Sequence, residues 1–271
     1  MLHPLIADPH ATRHILKKFK LRAVKSLGQN FLIDPLVVEK IVEAAEISAG
    51  EDVLEIGPGI GTLTQGLLEA GANVTAVELD KKLPAVLKET LAGYENFRLV
   101  EGDILKINLS ELMPQKFKVA ANLPYYITTQ ILLTLLEKKL PVTKIVTMVQ
   151  KEVAERMTAA PGSKIYGALS LAVQFRSQPS IAFEVLPESF LPPPEVTSAV
   201  VVCDVRRPPE IDEEFFFKVV RTAFAQRRKT LLNSLACFGK EKLLASNIDC
   251  KRRAETLSPE EFVALCKFLK G

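Results

Sequence analysis

The 271-residue chain is 48% hydrophobic and 25% charged, a composition typical of a globular protein with room for one large and one small domain. It has no run near the roughly 18 apolar residues that a membrane-spanning helix needs, and Met1 to Lys20 lacks the apolar core of a secretory signal. Its four cysteines are scattered, which argues against a disulfide framework or a Cys-x-x-Cys metal site. We therefore expect a cytoplasmic protein with no membrane association and no metal.

The net charge of +3 is unevenly distributed. Residues 1–30 hold six Lys or Arg against one acid, residues 31–205 hold 15 against 22, and residues 206–271 hold 14 against nine. An acidic body with two basic ends indicates an anionic partner that touches the ends, although chance remains the alternative on charge alone.

All three histidines lie within the first 14 residues. The spacing of His10 and His14 suits a helical metal site, but a solvated tail is the better interpretation. The body of the protein therefore cannot use histidine triads or histidine acid–base chemistry.

In chain order, predicted helices and strands alternate through the first half of the sequence. They are helix Pro35–Ala45, strand Val53–Gly57, helix Gly61–Ala70, strand Asn73–Leu79, helix Lys82–Ala92, strands Phe97–Asp103 and Lys118–Asn122, helix Thr128–Leu136 and strand Lys144–Gln150. This alternation predicts an α/β fold, a mostly parallel sheet with helices on both faces.

Two further regions look strand-like: Leu169–Phe175 with Ile181–Val185, and Ser198–Val205. Without a long helix between them, they predict an antiparallel edge added to the parallel sheet. The Pro-containing segment Arg206–Asp212 then marks a boundary, after which everything looks helical. We expect a basic N-terminal extension (1–30), an α/β domain (31–206) and a small all-helical domain (207–271).

A glycine-rich loop, Glu55-Ile-Gly-Pro-Gly-Ile-Gly61, joins the first predicted strand to a helix. Glycine permits positive φ and close approach of the backbone to a ligand. The next two strands end near Glu78 and Asp103, whose carboxylates would accept hydrogen bonds from ribose hydroxyls and an adenine amine. Because open α/β sheets bind ligands at the carboxyl ends of their strands, this order predicts an adenosyl cofactor.

The loop favours S-adenosylmethionine over NAD. Pro58 removes an amide that a pyrophosphate would use, and the glycine spacing is not Gly-x-Gly-x-x-Gly. Since S-adenosylmethionine has no phosphate, neither feature opposes it. A dehydrogenase remains a distant alternative.

The strand Lys118–Asn122 ends on Asn122-Leu-Pro-Tyr125. The Asn122 side-chain oxygen and the Leu123 carbonyl would accept hydrogen bonds from the exocyclic amine of a base and aim its lone pair at a methyl donor. Tyr125 would stack on the base and Phe190 would cover its other face, with core packing as the competing interpretation of both rings. Such a base must be flipped out or unpaired.

These motifs resemble the ribosomal RNA adenine dimethyltransferase family. The resemblance covers nearly the whole chain, at Leu27–Leu32, Glu55–Gly61, Glu78, Glu101–Ile104, Asn122–Tyr125, Gln150–Glu152, Phe190–Ser198 and Phe224–Leu231. The last of these segments is more similar to the bacterial small-subunit branch than to the antibiotic-resistance (Erm) branch.

The resemblance implies a Rossmann-like class I methyltransferase fold, with residues 31–206 as the catalytic domain that binds S-adenosylmethionine and residues 207–271 as an RNA-binding domain. It also assigns roles to single residues by position. The implied cofactor contacts are Asn30, Leu32, Gly57, Glu78, Asp103 and Asn122. The implied target-site residues are Asn122, Leu123, Tyr125 and Phe190. The basic residues Arg221, Arg227, Arg228 and Lys229 are expected to lie together on a helix and contact phosphates, with a solvated face as the alternative.

The implied substrate is a pair of adjacent adenines in the hairpin loop near the 3′ end of small-subunit rRNA, each dimethylated within a pre-ribosomal particle by a monomeric enzyme. An Erm-type enzyme acting on large-subunit rRNA is the first alternative. A non-catalytic assembly factor is the second, and the intact Asn122–Tyr125 motif argues against it.

Overall fold

The computed structural model of the protein describes residues 5–21, 28–137 and 140–271. Leu27, the first residue of one motif, and the basic residues Arg22 and Lys25 lie outside these ranges. The chain forms two units, Met1–Ala154 with Ser180–Val205, and Glu155–Pro179 with Arg206–Gly271. The second unit thus includes residues 155–179, while the functional division into extension, catalytic and RNA-binding segments stays a prediction.

The helices and strands of the described residues have the following bounds. The strands are β1 (Phe31–Leu32), β2 (Asp52–Ile56), β3 (Asn73–Glu78), β4 (Phe97–Glu101), β5 (Phe117–Asn122), β6 (Val142–Gln150), β7 (Ser177–Val185), β8 (Phe190–Leu191) and β9 (Ser198–Val205). The helices are α1 (Pro9–Lys18), α2 (Pro35–Ala45), α3 (Thr62–Glu69), α4 (Leu83–Thr90), α5 (Leu109–Leu112), α6 (Thr128–Glu137), α7 (Lys151–Thr158), α8 (Ala168–Arg176), α9 (Glu213–Ala225), α10 (Leu231–Ser234), α11 (Lys240–Ala245) and α12 (Pro259–Lys270).

A seven-stranded sheet has the order β4-β3-β2-β5-β6-β9-β7. The first five of these strands are parallel, and β9 is antiparallel to β6. The central strands are buried along almost their whole length, which is typical of a sheet covered on both faces. The predicted Rossmann-like fold is confirmed: the sheet is mostly parallel, and β9 and β7 extend it beyond β6 with β9 antiparallel.

A separate two-stranded pair, β1 with β8, positions both predicted ligand segments. Phe31 pairs with Leu191 and Leu32 with Phe190, in antiparallel register. Asp34 caps α2 by accepting from the Leu36 amide, as its position before Pro35 predicted, and its other oxygen accepts from the Ser189 hydroxyl at 2.9 Å. One residue therefore starts α2 and ties it to the Phe190 segment.

The strand predicted over Leu169–Phe175 is wrong, because these residues form helix α8. Their apolar residues alternate as in a half-buried strand. In the structure, however, the helix is buried on nearly every side, Ser170 and Arg176 included. A helix without a solvent-facing side shows no 3.6-residue pattern, so its periodicity could not identify it.

The second unit is helical after Arg206, as predicted. Ser258 and Glu261 form the predicted capping box at the start of α12: the Ser258 hydroxyl accepts from the Glu261 amide and the Glu261 carboxylate from the Ser258 amide. Phe175 stacks on Phe216 in the core of this unit, with ring centroids 4.3 Å apart. Within the residues described, no helix is both long and apolar enough to cross a membrane.

Candidate active site

A pocket opens in the first unit at the carboxyl ends of β2, β3 and β5, where the sequence predicts ligand binding. Its lining includes eight of the predicted cofactor or target residues. These are Asn30, Leu32, Gly57, Glu78, Asp103, Asn122, Leu123 and Tyr125. The fold therefore brings together residues that are up to 95 positions apart, from Asn30 to Tyr125.

The glycine-rich loop forms one wall of this pocket. Gly57 has φ +72°, and a Cβ added there would meet no atom within 4 Å, so the space beside it is open. Gly61 has φ +96° and precedes the first turn of α3 without a side-chain cap. The loop leaves an open cradle in front of a helix N-terminus, where a ligand can approach the backbone closely.

Glu78 ends β3 beside the loop and is 7% exposed. One of its carboxylate oxygens accepts from the Asp80 amide at 2.7 Å and the other lies 3.4 Å from the Gly59 amide. Burial raises the pKa of Glu78, and these two amides partly offset that rise. The carboxylate is thus held in place at the pocket wall.

Asp103 follows β4 and is only half-buried. Its side chain accepts from the Leu105 amide at 3.1 Å, so it also shapes its own turn. Lys106 approaches it to 3.7 Å, but the Lys106 side chain is 84% exposed and does not line the pocket.

Glu55 is a third carboxylate in the pocket, and sequence reasoning did not assign it a role. It is 2% exposed, and its Oε2 atom has no hydrogen-bond partner among the described residues. Its pKa is raised to about 8, mainly by burial. A hydrogen bond with Thr64 lowers the pKa, and the nearby charge of Glu78 raises it, so both are included in this net value. The available signal was an acid on an apolar strand directly before the glycine loop.

The charge of the pocket distinguishes between cofactors. Its lining contains three acidic side chains, Glu55, Glu78 and Asp103, of which Glu55 holds its proton at neutral pH because of its raised pKa, and no Lys, Arg or His among the described residues. Two phosphates of a dinucleotide would face these acids without a cation, whereas a positively charged ligand is favoured there. The pocket therefore opposes NAD.

Asn122 lies at the end of β5, with its amide oriented by the backbone. The Asn122 Nδ2 group donates to the Asn30 carbonyl at 3.3 Å. The side-chain oxygen has no protein partner in the described ranges, and the residue lines the pocket. The acceptor that the sequence argument requires is therefore the free end of the side chain.

The next two carbonyls differ in how they are used. The Pro124 carbonyl accepts from the Ile127 amide and the Thr128 hydroxyl. No such donor reaches the Leu123 carbonyl within the described residues. Leu123 thus has a carbonyl without a donor next to Asn122, and its role as an acceptor for a base stays a prediction.

Two tyrosines follow at the pocket. The Tyr125 hydroxyl lies 2.5 Å from the Ser198 hydroxyl on β9, which fixes the ring position, and burial raises the Tyr125 pKa. Tyr126 also lines the pocket and is 60% exposed. Sequence reasoning missed Tyr126, although its position after the motif was a usable signal.

Phe190 is 2% exposed and packs in the core of the first unit, and it does not line the pocket. The β1–β8 pair joins it to the site, because it lies opposite the pocket residue Leu32. Its stacking on a target base stays a prediction.

The four predicted phosphate contacts, Arg221, Arg227, Arg228 and Lys229, are exposed but do not share a helix. Arg221 lies on α9, which ends at Ala225, whereas Arg227, Arg228 and Lys229 follow in a turn. This corrects the expected helical cluster, because the chain turns toward α10. Arg227 also donates to the carbonyls of Lys164 and Tyr166, so part of its role is structural.

The described residues include no group of three or more His, Cys, Asp or Glu that could hold a metal ion.

Residues 20–271 match the family model described as ribosomal RNA adenine dimethylase. The chain belongs to this family. It is an rRNA adenine dimethyltransferase, as its motifs predicted, and the dehydrogenase alternative is wrong.

Relatives within and near this dimethylase family support the assignment. The ribosomal RNA small subunit methyltransferase A of Alkaliphilus oremlandii is 46% identical over 280 residues, covering 97% of this chain and 98% of the relative. The crystal structure of a dimethyladenosine transferase from Plasmodium falciparum has a TM-score of 0.72 at 29% identity, over 87% of this chain and 95% of that one. The 23S rRNA methyltransferase ErmE has a TM-score of 0.71 at 24% identity, over 89% and 100%, and shows the shared fold alone.

Proposed function

We propose that this dimethylase transfers methyl groups from S-adenosylmethionine to the exocyclic amines of adenines in small-subunit rRNA. The observation that carries this proposal is the pair of free acceptors at the end of β5. Asn122 and Leu123 both line the pocket, neither the Asn122 amide oxygen nor the Leu123 carbonyl has a donor among the described residues, and an adenine amine has two N–H groups to give them.

The residues present fit S-adenosylmethionine. Glu55 Oε2 is buried without a hydrogen-bond partner in the part of the chain that the structure describes, and the open space at Gly57 admits a ligand close to the backbone. The three pocket carboxylates suit the ammonium, the ribose hydroxyls and the adenine amine of this cofactor. We assign Asn30, Leu32, Gly57, Glu78, Asp103 and Asn122 as its contacts, and we add Glu55.

When bound, S-adenosylmethionine supplies an electrophilic methyl group. The protein's contribution is to orient the nucleophile. Two hydrogen bonds from the adenine amine to Asn122 and Leu123 favour a more tetrahedral nitrogen whose lone pair is available. As positive charge develops on that nitrogen, the same two oxygens stabilise it. The described residues that line the pocket include no histidine, and we propose that water takes the proton that the nitrogen releases after the transfer.

The target base is held by stacking. Tyr125 is fixed by Ser198, and Tyr126 presents an exposed ring at the same pocket. Stacking on an aromatic ring is worth about 1–3 kcal/mol per base, enough to support a base taken out of its helix. Phe190 reaches the opposite face of the base only if its ring leaves the core.

The finer parts of the proposal concern the substrate. We propose two adjacent adenines in the hairpin loop near the 3′ end of small-subunit rRNA, dimethylated in a cytoplasmic pre-ribosomal particle by a monomer. The small-subunit name of the relative that is 46% identical supports this choice, whereas the likeness to ErmE concerns the fold. Arg221, Arg227, Arg228 and Lys229 would contact phosphates.

The decisive experiment incubates the protein with methyl-labelled S-adenosylmethionine and with unmethylated small or large ribosomal subunits. We expect label as dimethyladenosine in small-subunit rRNA alone. Label in large-subunit rRNA would support the Erm-type alternative. Tight binding to small subunits without any transfer would support a non-catalytic assembly factor.

A further inference from the structure

Helix α1 and the residues just before it pack against the rest of the first unit. Ile6, Ala7 and Thr12 are each at most 4% exposed. The Ile6 amide donates to the Gln65 side chain at 2.8 Å, and the Thr12 hydroxyl donates to the Ile6 carbonyl at 3.1 Å. Gln65 lies on α3, whose first turn lines the pocket. The position of α1 is therefore set by the same helix that helps to form the cofactor site.

The opposite side of α1 is exposed and basic. Arg13 and Lys17 are one helical turn apart, and Lys20 follows the helix. All three are exposed and make no ion pair with any described residue, whereas Lys18 pairs with Glu89 on α4 at 2.5 Å. The acid nearest in sequence, Asp8, is occupied in capping the helix through the His10 and Ala11 amides.

Helix stability does not account for this charge. Lys17 lies in the last turn, where the helix dipole favours a cation, but Arg13 lies mid-helix and gains nothing from the dipole. Like charges one turn apart, as in Arg13 and Lys17, repel each other by a few tenths of a kcal/mol. An anionic partner would explain the pair.

The chain connectivity places this surface near the target site. Six residues separate Leu21 from Gly28, which lines the pocket, so the two are at most about 25 Å apart. Phosphates flanking a base held at Tyr125 can therefore reach α1. A membrane is a poor partner, because the apolar residues Ile15, Leu16 and Phe19 already pack against the core of the first unit and do not form a free face to insert.

We propose that Arg13 and Lys17 on α1, together with Lys20 just after it, form a second RNA-binding surface on the first unit that contacts phosphates flanking the target adenines. This inference rests on the proposed function, because it requires a small-subunit rRNA substrate. It separates the two basic ends of the chain into two distinct contacts with the same RNA.

The test compares binding of full-length variants to unmethylated small subunits over a series of salt concentrations. Each phosphate contact contributes about 0.7 to 0.9 to the slope of log affinity against log salt. We expect the double variant Arg13→Gln/Lys17→Gln to bind more weakly and to lower the magnitude of that slope by about 1.5. The charge-preserving variant Arg13→Lys/Lys17→Arg should keep the wild-type slope.

The matched control is Arg98→Gln/Lys116→Gln, which removes the same charges from the same unit. Arg98 is exposed on β4 and Lys116 directly precedes β5, both toward the amino ends of the strands and away from the pocket. This control should keep the wild-type slope. Thermal unfolding and S-adenosylmethionine binding should be unchanged in all variants, since none of these residues lines the pocket.

The outcomes separate the two proposals. If wild-type protein methylates small subunits and the α1 variant has the control's slope, α1 is not an RNA-binding surface, while the proposed function stands. Equal losses in the α1 variant and the control would show general charge attraction and would also overturn the inference. If the wild type neither binds nor methylates small subunits, the proposed function fails and the α1 contact fails with it.

Discussion

At the scale of single residues, Asn122 connects the two halves of the proposed reaction. Its nitrogen donates to the Asn30 carbonyl in the segment assigned to the cofactor, and this leaves its oxygen as the acceptor for the target amine. The side chain thus orients the nucleophile only because a backbone group holds its other end.

We predict that Asn122→Ala lowers turnover by at least about 100-fold, because the variant loses an acceptor that positions and stabilises the reacting nitrogen. Binding of S-adenosylmethionine should weaken but stay measurable by calorimetry, since the carboxylates remain. Asn108→Ala, a change of the same type at an exposed position outside the pocket, is the control. Wild-type turnover in Asn122→Ala would overturn the mechanism.

The raised pKa of Glu55 predicts how the free energy of unfolding depends on pH. Burial raises its pKa from 4.5 to about 8, so between these values the folded protein holds a proton that the unfolded chain has released. The contribution of Glu55 to the free energy of unfolding is therefore fully present below pH 4.5 and is lost as pH rises toward 8. Glu55→Gln should unfold in urea with a flatter pH dependence over this range.

The comparison of wild type with Glu55→Gln isolates this residue, because all other titrating groups are common to both proteins. The same variant should bind S-adenosylmethionine more weakly, as it cannot provide a carboxylate for the ammonium. Parallel pH profiles of unfolding in the two proteins would show that Glu55 titrates normally.

At the scale of elements, the packing of α3 on α2 overrides local helix propensity. Gly66 lies inside α3, where alanine would be favoured by about 1 kcal/mol. A Cβ at this position would lie 2.5 Å from Val38 Cγ1 and 3.3 Å from Val42 Cγ2, both on α2. The glycine permits the close approach of the helix that follows the cofactor loop.

We predict that Gly66→Ala lowers the free energy of unfolding by about 1–3 kcal/mol, because overpacking outweighs the gain in propensity. Urea unfolding measures this change. Adding Val38→Ala should recover part of the loss, since it removes the colliding methyl groups. A more stable Gly66→Ala protein would mean that α2 moves away at little cost.

At the scale of the whole molecule, the two basic ends of the sequence lie in different units. The N-terminal charges are presented by α1, and the C-terminal ones by α9 and the turn after it. Arg228 and Lys229 are exposed and unpaired among the described residues, whereas Arg227 holds the carbonyls of Lys164 and Tyr166.

We predict that reversing Arg228 and Lys229 to Glu weakens rRNA binding and flattens its salt dependence without changing the unfolding temperature. Arg227→Ala should lower both the affinity for rRNA and the unfolding temperature, because it also releases two backbone carbonyls. Salt titrations of binding, with thermal unfolding of the same variants, check this difference. An unchanged salt slope for the Arg228 and Lys229 reversal would remove this turn from the RNA site.

The sequence by itself determined the alternation of β2, α3 and β3, the cap of α2, the capping box of α12 and the motifs at the strand ends. These features depend on residues close together in the chain, and the carboxyl ends of parallel strands must meet at one edge of a sheet. The sequence alone therefore predicts one site for Gly57, Glu78, Asp103 and Asn122.

Only the tertiary structure decided what depends on contacts distant in sequence. The direction of the Asn122 amide comes from a carbonyl 92 residues away, and the burial of Phe190 from its pairing with Leu32. The sequence predicts a strand over most of α8, because burial on nearly every side removes the 3.6-residue pattern of apolar residues that identifies a helix. Packing fixes these features, since it acts between elements whose separation along the chain carries no local pattern.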